Sequence, residues 1–115
     1  MHELSIVEAL VEQVRSEVDR SGREGTIRRV ELVIGRLSGV SCDSIRFAFD
    51  LLKRDTPLAE SDLQIAEPLA TCHCRSCNAR VEVDEIVLSC PECGGGNITI
   101  EGGRELLLQS IEIEE

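Results

Sequence analysis

Cys74-Arg75-Ser76-Cys77 and Cys90-Pro91-Glu92-Cys93 decide how the chain is read. Each is a C-x-x-C pair, and twelve residues separate Cys77 from Cys90. A two-residue gap lets both thiolates of one pair reach a single ion at about 2.3 Å, while turn N–H groups soften their charge. Two such knuckles facing each other close a tetrahedral site of Cys74, Cys77, Cys90 and Cys93. Zinc suits four thiolates, since it has no redox chemistry and asks only for four ligands. A rubredoxin-type iron site and disulfides are the rival readings of the same spacing. A site with four protein ligands and no open position is structural: it folds its module and performs no chemistry.

Around this stretch the bulk properties narrow the field. At 115 residues the chain has room for one small domain, or one domain with a minor insert. Met1-His2-Glu3-Leu4-Ser5 carries no basic region or long apolar run, so no secretory signal is expected. The apolar runs are too short for a membrane span, and a cytoplasmic location is expected. In a reducing compartment six cysteines point to metal rather than disulfides. The formal net charge is −10, with two Phe and no Trp or Tyr. Nucleic-acid binding needs basic clusters against phosphate or aromatic platforms for bases, and neither is present. Such acidity fits metal ions or a basic protein partner.

Leu4, Val7, Leu10, Val11, Val14 and Val18 recur at helical spacing, with Glu8, Glu12, Arg15 and Asp19 on the other face, which predicts a helix over 3–21 ended by Gly22 and Gly25. Thr26–Ile34 reads as a strand. Gly35-Arg36-Leu37-Ser38-Gly39 is a loop too short for a phosphate-binding P-loop and without its lysine. A second helix is predicted over 42–54, with Ser41 as N-cap, Asp43 in the first turn and Ile45, Ala48, Phe49 and Leu52 as its apolar stripe. A loop over 57–61, a short strand over 62–67 and the cysteine module follow. Within the module Val81/Val83 and Val87/Leu88 are expected as small strands. Arg104–Ile113 is the last strand. Its apolar phase slips between Leu108 and Ile111, which a bulge near Gln109-Ser110 would correct. The order is α-β-α-β-insert-β. The expected fold is α+β: two helices packed on a three-stranded mixed sheet, with an inserted zinc-ribbon-like module. The insert spans 69–101, and the main domain comprises 1–68 plus 102–115.

A closed zinc site leaves chemistry to be found elsewhere, and Met1-His2-Glu3 is the candidate. Initiator Met is removed readily only before a small residue, so Met1 with its amine is expected to stay ahead of His2. That amine, the His2 amide nitrogen and the His2 imidazole form fused chelate rings, a nitrogen plane that Ni(II) or Cu(II) prefers. Glu3 adds an oxygen or orients His2. The plainer account is a frayed terminus that binds nothing. Cys42, alone in sequence, reads as a semi-buried thiol. No Ser/His/Asp set or paired-carboxylate arrangement points to an enzyme.

These features together resemble the HypA/HybF family of hydrogenase maturation nickel metallochaperones. The resemblance rests on Met1-His2-Glu3-Leu4-Ser5, Ile34-Gly35-Arg36-Leu37-Ser38-Gly39-Val40, Arg46-Phe47-Ala48-Phe49-Asp50, the paired cysteines and Ile111-Glu112-Ile113-Glu114, in order across the chain. It implies transferable Ni(II) on His2, Met1 and Glu3, so that 1–68 plus 102–115 is the nickel-binding domain, with structural Zn(II) in the insert. It also implies delivery of nickel to the precursor large subunit of [NiFe]-hydrogenase, alongside a nickel-handling maturation GTPase, and in some members service to urease maturation proteins. Ser41 stands where relatives often carry an acidic residue; here the acidity arrives at Asp43. Cys72 and His73 precede the first knuckle as bystanders or as an alternative setting of the zinc ligands. The alternative function is a zinc-ribbon interaction or regulatory module with no second metal.

Overall fold

A computed structural model describes residues 2–115, His2 by its backbone alone. The elements are α1 (His2–Ser21), β1 (Thr26–Ile34), α2 (Cys42–Leu52), β2 (Asp62–Ala66), β3 (Ala70–Cys74), β4 (Arg80–Val83), β5 (Ile98–Glu101) and β6 (Leu106–Glu114). The architecture is α+β, with two helices and two three-stranded sheets of order β2-β1-β6 and β4-β3-β5. Among the described residues no helix is long and apolar enough to cross a membrane. The chain divides into two compact units, one of Met1–Leu32, Val40–Ile65 and Leu107–Glu115, the other of Val33–Gly39 and Ala66–Leu106.

In the first unit the helical stripe of α1 buries Val7, Leu10, Val11 and Val14, while Leu4 at its start stays 37% exposed. Gly22 follows at φ +68°, a left-handed position that ends the helix at little cost to glycine. α2 packs on α1 and buries Ile45, Ala48 and Phe49. Its start is capped as expected: the Ser41 hydroxyl accepts from the Ser44 N–H at 3.2 Å. It ends two residues before the predicted point, with Lys53 as C-cap. Asp55 takes φ +61°, and the Thr56 hydroxyl donates to the Lys53 carbonyl at 2.6 Å, so the chain leaves the helix there. The loop that follows is not wholly a surface turn. Leu58 and Ser61 are buried, with the Ser61 hydroxyl donating to the Leu58 carbonyl at 2.7 Å. β6 carries the expected change of phase: Leu108, Ile111 and Ile113 are its half-buried positions.

The second unit is built on β3. Cys72 pairs opposite Val81 of β4 and opposite Ile100 of β5, both antiparallel. Strand alternation therefore puts Ala70, Cys72, Val81, Val83, Ile98 and Ile100 on one face, where they form the unit's small apolar cluster with Leu37 and Val87. Thr71 and His73 lie on the opposite face with Glu82, Arg80, Thr99 and Glu101, and Arg80 pairs with Glu101 there at 3.3 Å. β3 and β5 were not anticipated as strands, whereas Val87-Leu88 was and is not one. Val87 still packs inward, but Ile86 and Leu88 beside it are 63% and 87% exposed.

Candidate metal centre

β3 runs directly into the first knuckle. Cys74 is its last residue, and the Cys74 N–H donates to the Ala79 carbonyl at 3.0 Å, so the ladder closes on the turn and leads into β4. The second knuckle stands between the 84–89 loop and β5. Cys90 N–H donates to the Gly95 carbonyl and Gly94 N–H to the Cys90 carbonyl, each at 2.8 Å. The residue after the second cysteine of each knuckle is left-handed: Asn78 at φ +63° and Gly94 at φ +76°. Glycine takes this region freely, and asparagine is among the few side chains that tolerate it.

The knuckles bring four thiols together. Sγ atoms of Cys74, Cys77, Cys90 and Cys93 all lie within 4.8 Å of one another, the only such group of metal-competent side chains among the described residues. Cys74 and Cys93 are 3.7 Å apart, as are Cys77 and Cys90. Four sulfurs at about 2.3 Å from a tetrahedral zinc would be about 3.8 Å apart along each edge. The set therefore fits that ion in size as well as in donor type. Backbone N–H groups point at the sulfurs: Cys77 to Cys74 at 3.5 Å, Cys93 and Glu92 to Cys90 at 3.5 and 3.3 Å, and Gly95 to Cys93 at 3.4 Å. Such donors stabilise thiolate. The Cys77 N–H, chiefly, brings the Cys74 thiol down to about 6, despite its burial. At Cys77 the Ala79 N–H pulls the same way, but burial and the neighbouring sulfurs outweigh it and push the thiol up to about 12. Four like charges at this separation need a cation among them, and four thiols close together suit a structural zinc site.

Cys72 and His73 are not part of this group. Cys72 is 1% exposed in the apolar cluster, and burial first, then Cys90 and Cys74, raises its thiol above the ordinary value. His73 sits on the other face of β3, with Nε2 3.4 Å from the Asn78 side-chain oxygen. Alternation along β3 separates it from Cys72 and Cys74.

Of the expected nickel ligands, Met1 and the His2 side chain lie outside the described residues. The Glu3 carboxylate accepts from the Ser41 N–H at 3.3 Å. The first turn of α1 is thereby tied to the capped start of α2, where Cys42 is half-buried and Asp43 exposed.

Comparison with known proteins places this geometry. Residues 1–113 match the family model described as "Hydrogenase/urease nickel incorporation, metallochaperone, hypA". The chain is 40% identical over 115 residues to the hydrogenase maturation factor HypA of Chlorobium limicola, covering 100% of this chain and 98% of the relative. It is 39% identical to that of Chlorobaculum tepidum, covering 99% and 100%. Among solved structures, the nickel metallochaperone HypA from Helicobacter pylori has a similar fold, with TM-score 0.64, 22% identity and 96% of each chain covered. A second HypA solution structure has TM-score 0.68 at 23% identity, covering 99% of this chain and 97% of the other. The chain belongs to the HypA family of hydrogenase/urease nickel-incorporation metallochaperones.

Proposed function

We propose that this chain binds Ni(II) through Met1, His2 and Glu3 and delivers it, in the cytoplasm and without catalysing a reaction, to the precursor large subunit of [NiFe]-hydrogenase. A nickel-handling maturation GTPase is its co-worker, and urease maturation proteins are further clients. Residues 1–68 plus 102–115 form the nickel-binding domain and 69–101 the zinc-binding domain. The observation that carries the reading is the family match from residue 1 through 113, which includes the candidate ligands. The bond from Ser41 N–H to Glu3 supports it, because it fixes the residue next to His2 on a folded frame. Cys74, Cys77, Cys90 and Cys93 hold zinc, which supplies folding energy to its module and no reaction step.

The chemistry suits a carrier. A nitrogen plane at a chain end is open on one side, so an acceptor displaces ligands one ring at a time. Amine and imidazole must shed protons to bind. Affinity therefore falls as pH drops through the ordinary amine range near about 8 and then through that of histidine, about 6.5. Equilibrium dialysis of the zinc-loaded chain against Ni(II), with His2→Ala beside it, tests the assignment. Loss of nickel in the variant, with zinc retained, is expected. Unchanged nickel stoichiometry would point instead to a zinc-bearing interaction module.

A further inference from the structure

We infer that the groove between the starts of α1 and α2 docks an apolar, basic-flanked helical segment of another protein. The groove has a volume of about 330 Å³ and is lined by Leu4, Asp43, Ser44, Phe47, Ala48 and Leu51. Ala48 is buried, but the groove's larger apolar members are not. Phe47 is 67% exposed, Leu51 47% and Leu4 37%. The contrast with Phe49, two residues on and 1% exposed, shows that the core takes one aromatic ring of α2 and leaves the other in water. Phe47 and Phe49 are the only aromatic residues in the chain. Aromatic side chains exposed on a firm helical surface are what interfaces use as anchors.

Charge chooses the occupant. Asp43 lines the groove itself. Helical spacing places Glu8 one turn beyond Leu4, and it is exposed. Lys53 pairs with Asp50 at 3.6 Å, and Arg46, Asp50 and Lys53 line a separate hollow rather than this groove. With a net charge of −10, a second copy would bring the same acidic rim against this one, and an anionic membrane would be repelled. An amphipathic helix offering Leu, Ile or Phe at i, i+3/i+4 and i+7 with flanking Lys or Arg meets both the apolar floor and the acidic rim. Leu4 is two residues from His2, so such a segment sits beside the proposed nickel end. The docking itself does not depend on nickel.

The test is selection of a phage-displayed library of helical peptides on the immobilised zinc-loaded full chain, free of nickel, with counter-selection on Phe47→Ala. Phe47, Asp43 and Glu8 are exposed, so their variants keep the native far-UV circular dichroism. Expected are peptides that combine the apolar spacing with basic flanks, bound about tenfold or more weakly by Phe47→Ala and more weakly by Asp43→Asn/Glu8→Gln, with methyl shifts at Leu4 and Leu51. His2→Ala should bind them as the parent does, which separates this reading from that of the nickel site. Absence of Phe47-dependent peptides, enrichment without Lys or Arg, Phe47-dependent self-association in sedimentation, or Phe47-dependent binding to phosphatidylglycerol vesicles would each overturn the inference.

Discussion

Gly39 and Gly103 share φ +79° but have different surroundings, so the same substitution should cost different amounts at the two. An ideal Cβ on Gly39 meets nothing within 4 Å. One on Gly103 stands 2.7 Å from the Ala70 Cβ and 3.2 Å from the Ala70 Cα and N. Both substitutions to alanine carry the left-handed penalty of about 1–2 kcal/mol, offset in part by about 0.4–1 kcal/mol of lost freedom in the unfolded chain. Gly39→Ala should therefore cost up to about 1.6 kcal/mol. At Gly103 carbon atoms would be forced well inside the contact distance of about 3.5–4.0 Å. The obstacle is Ala70, fully buried at the start of β3, so the backbone must give, at about 1–3 kcal/mol. The bond from Leu37 N–H to the Gly103 carbonyl, 2.6 Å long, lies in the path of that shift and adds about 1 kcal/mol if broken. Gly103→Ala should thus fall about 2–4 kcal/mol below Gly39→Ala. Native-state amide exchange on the zinc-loaded proteins, read at β3 amides, measures the difference. Equal protection in the two variants would refute the steric argument.

Four further outcomes follow. Stripping zinc with a chelator should abolish amide protection in β3, β4 and β5 while α1 and α2 keep theirs. The second unit buries few side chains, and structural zinc is worth about 10–16 kcal/mol in small modules. Cys72→Ser should leave zinc content unchanged but destabilise the second unit by about 1–3 kcal/mol, the cost of a hydroxyl in an apolar cluster, whereas Cys74→Ser should lose zinc; metal analysis with exchange measurements separates the two. Phe49→Ala should cost about 3–5 kcal/mol and Phe47→Ala under about 0.5 kcal/mol, compared in urea by far-UV circular dichroism. Nickel affinity should drop steeply between about pH 8 and about 5.5, where an ordinary amine and then an ordinary imidazole take up protons; flat affinity across that range in a pH series of dialysis experiments would rule out the ligand set.

Residue order alone determined the parts whose signal is local. The stripe of α1, the Ser41 cap of α2 and the run of β1 follow from side-chain period and capping chemistry, and each element stands within two residues of its expected bounds. The cysteine quartet was equally legible, since a two-residue gap is a property of the chain itself. What the sequence left open needed partners distant along the chain. β3 and β5 are four or five residues long and carry little alternation of their own; they are strands because β3 has a neighbour on each side. Leu58 is a core residue because its loop folds inward, which no period within 57–61 signals. Cys72 and His73 were ambiguous as neighbours in sequence. Pairing of β3 sends one into the apolar cluster and the other to the opposite face, so only tertiary structure decided what Cys72 and His73 do beside the four thiols.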